Sequence, residues 1–199
     1  MIPRTLHKMD PFTCLSAMQK CIRRGMEREA MQFCCELVHS SKAMCSMAAN
    51  RLGLISHEDI ECIDQPHIIP FVYACCEQAK QWWTADKPGK SRMALGNAIR
   101  MMCRANKSRE GDHFSGAIGL PSQMFGAVPT VPDWAYDHHT KIGLKKGRGI
   151  AHFRSESALL NPPQGYQDQY EDEFYHWQEQ RFARMNEGDP TLPGIEENE

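Results

Sequence analysis

DPFTCLSAMQKCIRRG, residues 10–25, decides the fold class. Asp10 before Pro11 is a helix N-cap followed by a first helical residue, since proline lacks only an N–H that the first turn does not use. Cys14, Leu15, Met18, Cys21 and Ile22 then recur at the spacing of one helical face, and Gly25 supplies a C-terminal stop. The same period continues through Ala30, Met31, Cys34, Leu37 and Val38, and through Ala43, Met44, Met47, Ala48 and Leu52 to Gly53.

Ser56 with Asp59 reads as a capped start of a fourth helix. After Pro66, an apolar run from Pro70 through Phe71, Val72, Ala74, Cys75, Ala79, Trp82 and Trp83 ends at Lys87-Pro88-Gly89. Ser91–Arg104 gives a further helix with Met93, Ala94, Ala98, Met101 and Met102 inward. Residues 106–133, rich in Gly, Pro and Ser, read as a long irregular connection holding at most one short helix. Trp134–His139 is expected as a short helix, 141–149 as a basic glycine-punctuated loop, Tyr170–Met185 as a helix and Glu187–Glu199 as a disordered end. Alternating β-branched runs are missing, so the expected class is all-α, a helical bundle. The expected organisation is a lead (1–9), one helical domain (10–163) and an acidic tail (164–199).

With 23 basic against 25 acidic residues, net -2, the chain has no global field to draw it onto nucleic acid or anionic lipid. No run reaches the ~18 apolar residues of a membrane span, and Met1–Thr5 lacks a signal-peptide core, which leads to a cytoplasmic expectation without membrane contact. Nine cysteines, an odd number without a C-x-x-C pair, read as reduced thiols packed as small core residues.

Thr84-Ala85-Asp86-Lys87-Pro88-Gly89-Lys90-Ser91 ends like a phosphate-binding loop but has Thr84 for the first glycine, Pro88 in place of an N–H donor, and a helical pattern where a strand is needed. It reads as a helix-to-helix turn, with no ATP bound. Asp133, Asp137, His138, His139 and His152 offer oxygen and imidazole groups, but no thiolate joins them at finger spacing. Asp133, Asp137, His139 and His152 are therefore taken as hydrogen-bonded contact residues, with no metal or cofactor assigned. A Cys–His nucleophilic pair is read instead as inert packing. Lys141, Lys145, Lys146 and Arg148, with Arg154 beyond, form the densest basic segment, interrupted by Gly143, Gly147 and Gly149. Such a segment can hold phosphates or lie solvated, and Trp134, Tyr136 and Phe153 can stack on bases or anchor the loop.

The order of several segments resembles a known family over roughly residues 10–160. They are Ser16–Gly25 with Glu29-Ala30; Arg51–Ile60 with Pro66 after it; and Ala98–Arg109, with Asn106 where the family usually has proline. Val131–Thr140 and Gly147-Arg148-Gly149 with His152-Phe153 follow. Together they are similar to the helical C-terminal region of the clamp-loader-like AAA+ ATPases of the replication-associated recombination protein A family (MgsA, Werner-helicase-interacting protein), here without Walker motifs. The resemblance implies a non-catalytic, oligomerising or docking unit of DNA replication, recombination or repair. It would self-associate, typically as tetramers, and contact DNA, a separate AAA+ ATPase or other replication proteins. The methionine-rich faces at Met44, Met47, Met101 and Met102 are expected to serve self-association. Two other readings stand beside this one: a metal-dependent enzyme using Asp133, Asp137, His139 and His152, and a regulator competing for the ATPase's oligomer contacts.

Overall fold

A computed structural model describes residues 3–84, 87–160 and 171–188. It is all-α: among the described residues there are helices and turns, with one isolated β-bridge between Ile60 and Lys107. The chain divides into two compact units, Met1–Ala127 and Val128–Glu199, so the boundary falls inside the span that the sequence reading treats as one domain.

Unit 1 contains α1 (Pro11–Arg23), α2 (Glu27–Ser40), α3 (Lys42–Glu58), α4 (Ile68–Thr84), α5 (Pro88–Arg104) and α6 (Glu110–Phe125). Asp10 caps α1 by accepting from the Thr13 N–H at 2.8 Å, and Gly25 takes the left-handed φ of 70° that reverses the chain. The first five helices pack as a bundle in which α1 lies on α2, α2 on α5, α5 on α4 and α4 on α3. Leu15, Met18, Ile22, Leu37, Val38, Leu52, Ile55, Val72, Leu95 and Ile99 fill its core. Burying such side chains stabilises by about 1.5–3 kcal/mol each, before the entropy of ordering them.

α3 does not stop at Gly53. Its apolar face continues through the fully buried Ile55, so packing outweighs the weak propensity of one glycine. Ser56 caps nothing: its hydroxyl donates back to the Gly53 carbonyl at 2.7 Å. Asp59 is the residue that closes α3, not the third position of a new helix. α4 begins two residues before Pro70, which sits in the first turn where its missing N–H costs nothing. Pro88 likewise opens α5 at its first position, so the helix begins before Ser91. Met93, expected inward, is 58% exposed, and Leu95 and Ile99 take the core positions.

The largest departure is α6. Residues 110–125 form a 16-residue helix in the segment read as irregular. Phe114, Ile118, Pro121 and Phe125 recur at i, i+4, i+7 and i+11, a helical stripe that the glycines obscure, and Gly126 ends the helix with a φ of 64°. No residue of α6 is buried.

Unit 2 holds a 3-10 turn (Asp133–Ala135), α7 (Lys141–Lys145), α8 (Ile150–His152) running into a π turn (Phe153–Ser157), and α9 (Glu171–Asn186), which packs on α8. The expected helix over 134–139 is limited to that 3-10 turn, because Asp137 starts a side-chain-capped turn of its own. The basic loop contains α7, whose N-cap Thr140 accepts from the Gly143 N–H at 3.0 Å. The disordered end expected over 187–199 lies outside the described residues from 189 onward, as do Ala85 and Asp86 of the phosphate-loop-like segment. Among the described residues, no helix is long and apolar enough to cross a membrane.

Candidate functional site

The turn at Asp137–Thr140 gathers the chemistry of unit 2. Asp137 Oδ1 accepts from the His139 backbone N–H at 2.9 Å, while Oδ2 lies 3.0 Å from the His139 ring Nδ1. Burial pushes the Asp137 carboxyl up, but the hydrogen bonds from His139 and the two neighbouring imidazoles outweigh this and hold it below its ordinary value. The Thr140 hydroxyl donates to the Asp137 carbonyl at 2.9 Å and so ties the turn to the start of α7. Gly143 completes the junction: a Cβ there would lie 1.8 Å from the Asp137 carbonyl oxygen.

His138, between the two, is buried, and its Nδ1 has no hydrogen-bond partner among the described residues. Burial, then the adjacent His139, lowers its pKa, partly offset by Asp137. It stacks obliquely on His139 at 3.9 Å between ring centres and meets Phe153 and Phe182 edge-on. Both histidines line a cavity of about 460 Å³, whose walls include Phe153, Tyr175 and Phe182, with Arg181 as its cation.

Of the four residues singled out from sequence as one set, the structure joins Asp137 with His139 only. Asp133 faces the other way, pairing with Lys146 at 2.6 Å and with Arg148. Those cations, Lys146 first, hold its carboxyl down to about 2. His152 stands in α8 with its Nδ1 buried and without a partner among the described residues, outside the Asp137–His138–His139 group. His138, named among the possible donors but left out of the contact set, is the buried one, and nothing in spacing marks that: burial of one member of a His-His pair is decided by where α9 places its aromatics.

The basic segment also divides. Lys141 and Lys145 are exposed on α7, with no ion pair among the described residues. Lys146 is held by Asp133 and lies 5.2 Å above the Tyr136 ring. Arg148 is an internal clasp, donating to the Asp133 carbonyl at 2.6 Å and the Tyr136 carbonyl at 2.7 Å, with its side chain 15% exposed. Arg148 is thus committed to the fold rather than offered to a phosphate.

Unit 1 holds no second set of three such ligand groups within reach of one ion among the described residues. Ser91, the last residue of the phosphate-loop-like segment, is buried and donates to the Ala79 carbonyl at 2.7 Å, and a helix precedes the segment. Among its thiols, burial raises Cys45 and Cys103 to about 11 and Cys76 to about 12. That is the reverse of what a thiolate nucleophile needs. A thiol reagent applied to the native chain is expected to label the exposed Cys62 first, with the buried Cys14, Cys34, Cys45, Cys76 and Cys103 reacting only on unfolding. Equal labelling rates for all nine would mean that the core is open.

No family model matches the chain, and no curated protein matches it.

Proposed function

We propose that the chain is a non-catalytic helical module that self-associates and serves DNA replication, recombination or repair in the cytoplasm, docking with a separate AAA+ ATPase or other replication proteins. The observation that carries the self-association and docking part of this reading is α6. Phe114, Ile118 and Phe125 are each at least 65% exposed on one 16-residue helix, and no described residue covers them. A contiguous apolar stripe of this kind on a water-facing helix marks an interaction surface. The methionine faces expected to do this work do not: Met44 and Met102 are buried, and Met47 and Met101 pack against the core.

The segments Ser16–Gly25, Arg51–Ile60 and Arg104–Arg109 meet in one ion network, in which Arg23 contacts Glu58 and Asp59 and Arg109 contacts the same pair. Lys107 donates to the Met102, Cys103 and Ala105 carbonyls and seals the end of α5.

Light scattering across a concentration series is expected to show an oligomer, up to a tetramer, and Phe114→Asp with Phe125→Asp is expected to reduce it to monomers of unchanged helicity. A parent chain that stays monomeric at high concentration removes the reading. DNA contact, where present, runs through Lys141 and Lys145, the two residues of the basic segment left exposed without an ion pair among the described residues. With two phosphates neutralised, the log–log salt slope of binding is expected to be about -2. Changing both lysines to alanine should flatten it, whereas unchanged anisotropy would place the contact elsewhere.

A further inference from the structure

We propose that Asp137, His138 and His139 form a binding site for a single Zn²⁺ ion at the wall of the aromatic cavity in unit 2. One carboxylate oxygen and one imidazole nitrogen from each histidine lie within 4.8 Å of one another. Ligand atoms around a common zinc at about 2.0–2.2 Å stand about 3.3 Å apart, and the Asp137 Oδ2 to His139 Nδ1 separation is already 3.0 Å. Binding requires the remaining imidazole nitrogen to move in from its place within 4.8 Å of the other two ligand atoms.

The second observation is His138 itself. The residue is only 7% exposed, and its Nδ1 is buried without a hydrogen-bond partner among the described residues. A buried polar atom left unpaired costs about 1–3 kcal/mol, so such an atom in a folded protein calls for a partner. Beside a carboxylate and a second imidazole, a cation is the partner that the chemistry favours.

The donor set selects the metal. Two imidazoles and one carboxylate suit zinc and its transition-metal neighbours, whereas calcium and magnesium favour all-oxygen shells. Three protein ligands leave a fourth position for water, and the cavity of about 460 Å³ gives it room. His139, with its side chain 62% exposed, supplies the way in for the ion. The turn is braced as a metal site requires: the Asp137 carboxylate accepts from the His139 backbone, and its carbonyl accepts from Thr140.

Chelator-stripped full-length protein titrated with Zn²⁺ in a calorimeter is expected to bind one ion per chain with micromolar or tighter affinity, and zinc should raise the melting temperature. His138→Gln and His139→Gln should each weaken binding at least about tenfold and abolish the thermal shift. His139 is exposed, so its variant reports on the site even where the buried His138 variant is unstable. Cobalt in place of zinc should give visible absorption without a thiolate charge-transfer band. Three results would overturn the site: no saturable binding below about 1 mM zinc, parent-like affinity in the folded His139 variant, or a cobalt spectrum with sulfur ligation.

Discussion

Gly143→Ala is expected to unfold the Asp137–Arg148 segment, at a cost of about 3 kcal/mol or more. The new Cβ would stand 1.8 Å from the Asp137 carbonyl oxygen, 2.5 Å from its carbon and 2.8 Å from its nitrogen. All three atoms are backbone, so no side chain can swing aside, and the turn must lift off α7. Lifting it breaks the Thr140 hydroxyl's bond to the Asp137 carbonyl and the Gly143 N–H's bond to Thr140. Ordinary overpacking costs about 1–3 kcal/mol, and a collision with fixed backbone belongs at or above the top of that range. Gly147 supplies the contrast. Its φ of 71° suits glycine, but its Cβ position is open, so Gly147→Ala should cost only about 1–2 kcal/mol from the left-handed backbone. Hydrogen-exchange mass spectrometry over residues 137–150, together with thermal melts, separates the two. Parent-like protection in the Gly143→Ala variant would show that the close approach is absent in solution.

The five-helix bundle is legible in the sequence because its helices obey local rules. Asp10-Pro11 and Gly25 mark ends by capping chemistry, and Cys14 to Ile22 or Leu37 to Val38 mark faces by period. Reading failed where packing overrode a local signal. Gly53 and Ser56 look like a stop and a restart, yet Leu52 and Ile55 bury on the same face and carry α3 past both. Three glycines and Pro121 hide α6, whose stripe emerges only when Phe114, Ile118, Pro121 and Phe125 are counted at helical spacing.

The site was legible to a lesser degree, for a different reason. The sequence presents Asp133, Asp137, His139 and His152 as equivalent donors, but direction is a tertiary property. Asp133 turns toward Lys146 and Arg148, and Asp137 turns toward His139. His138 acquires its burial from Phe153 and Phe182, the second of them far along the chain in α9. Likewise Arg148 reads as a surface cation until two carbonyls and a carboxylate are found around it.

Asp59→Ala is expected to destabilise unit 1 by about 3 kcal/mol. Asp59 is 1% exposed, and its carboxylate accepts from Gln19 Nε2 at 2.9 Å and from Arg23 Nε at 2.7 Å. Gln19 in turn accepts from Arg51 at 3.0 Å and donates to Glu58 at 2.7 Å, so α1 and α3 share one continuous network. Arg109, 3.7 Å from the same carboxylate, brings in the segment that follows α5. Removing one partner of a buried pair costs about 3–5 kcal/mol, because the charge left behind stays desolvated. Arg23 keeps 29% of its side chain in water and can recover part of that loss, which places the expectation at the lower end. Asp59→Asn, which retains one acceptor and the shape, should cost roughly half as much. A double-mutant cycle with Arg23→Ala should show a coupling of at least about 1 kcal/mol in urea denaturation. Additive losses from the two single variants would mean that the pair is not a unit, and that the junction of α1, α3 and the Arg104–Arg109 segment is held by apolar packing alone.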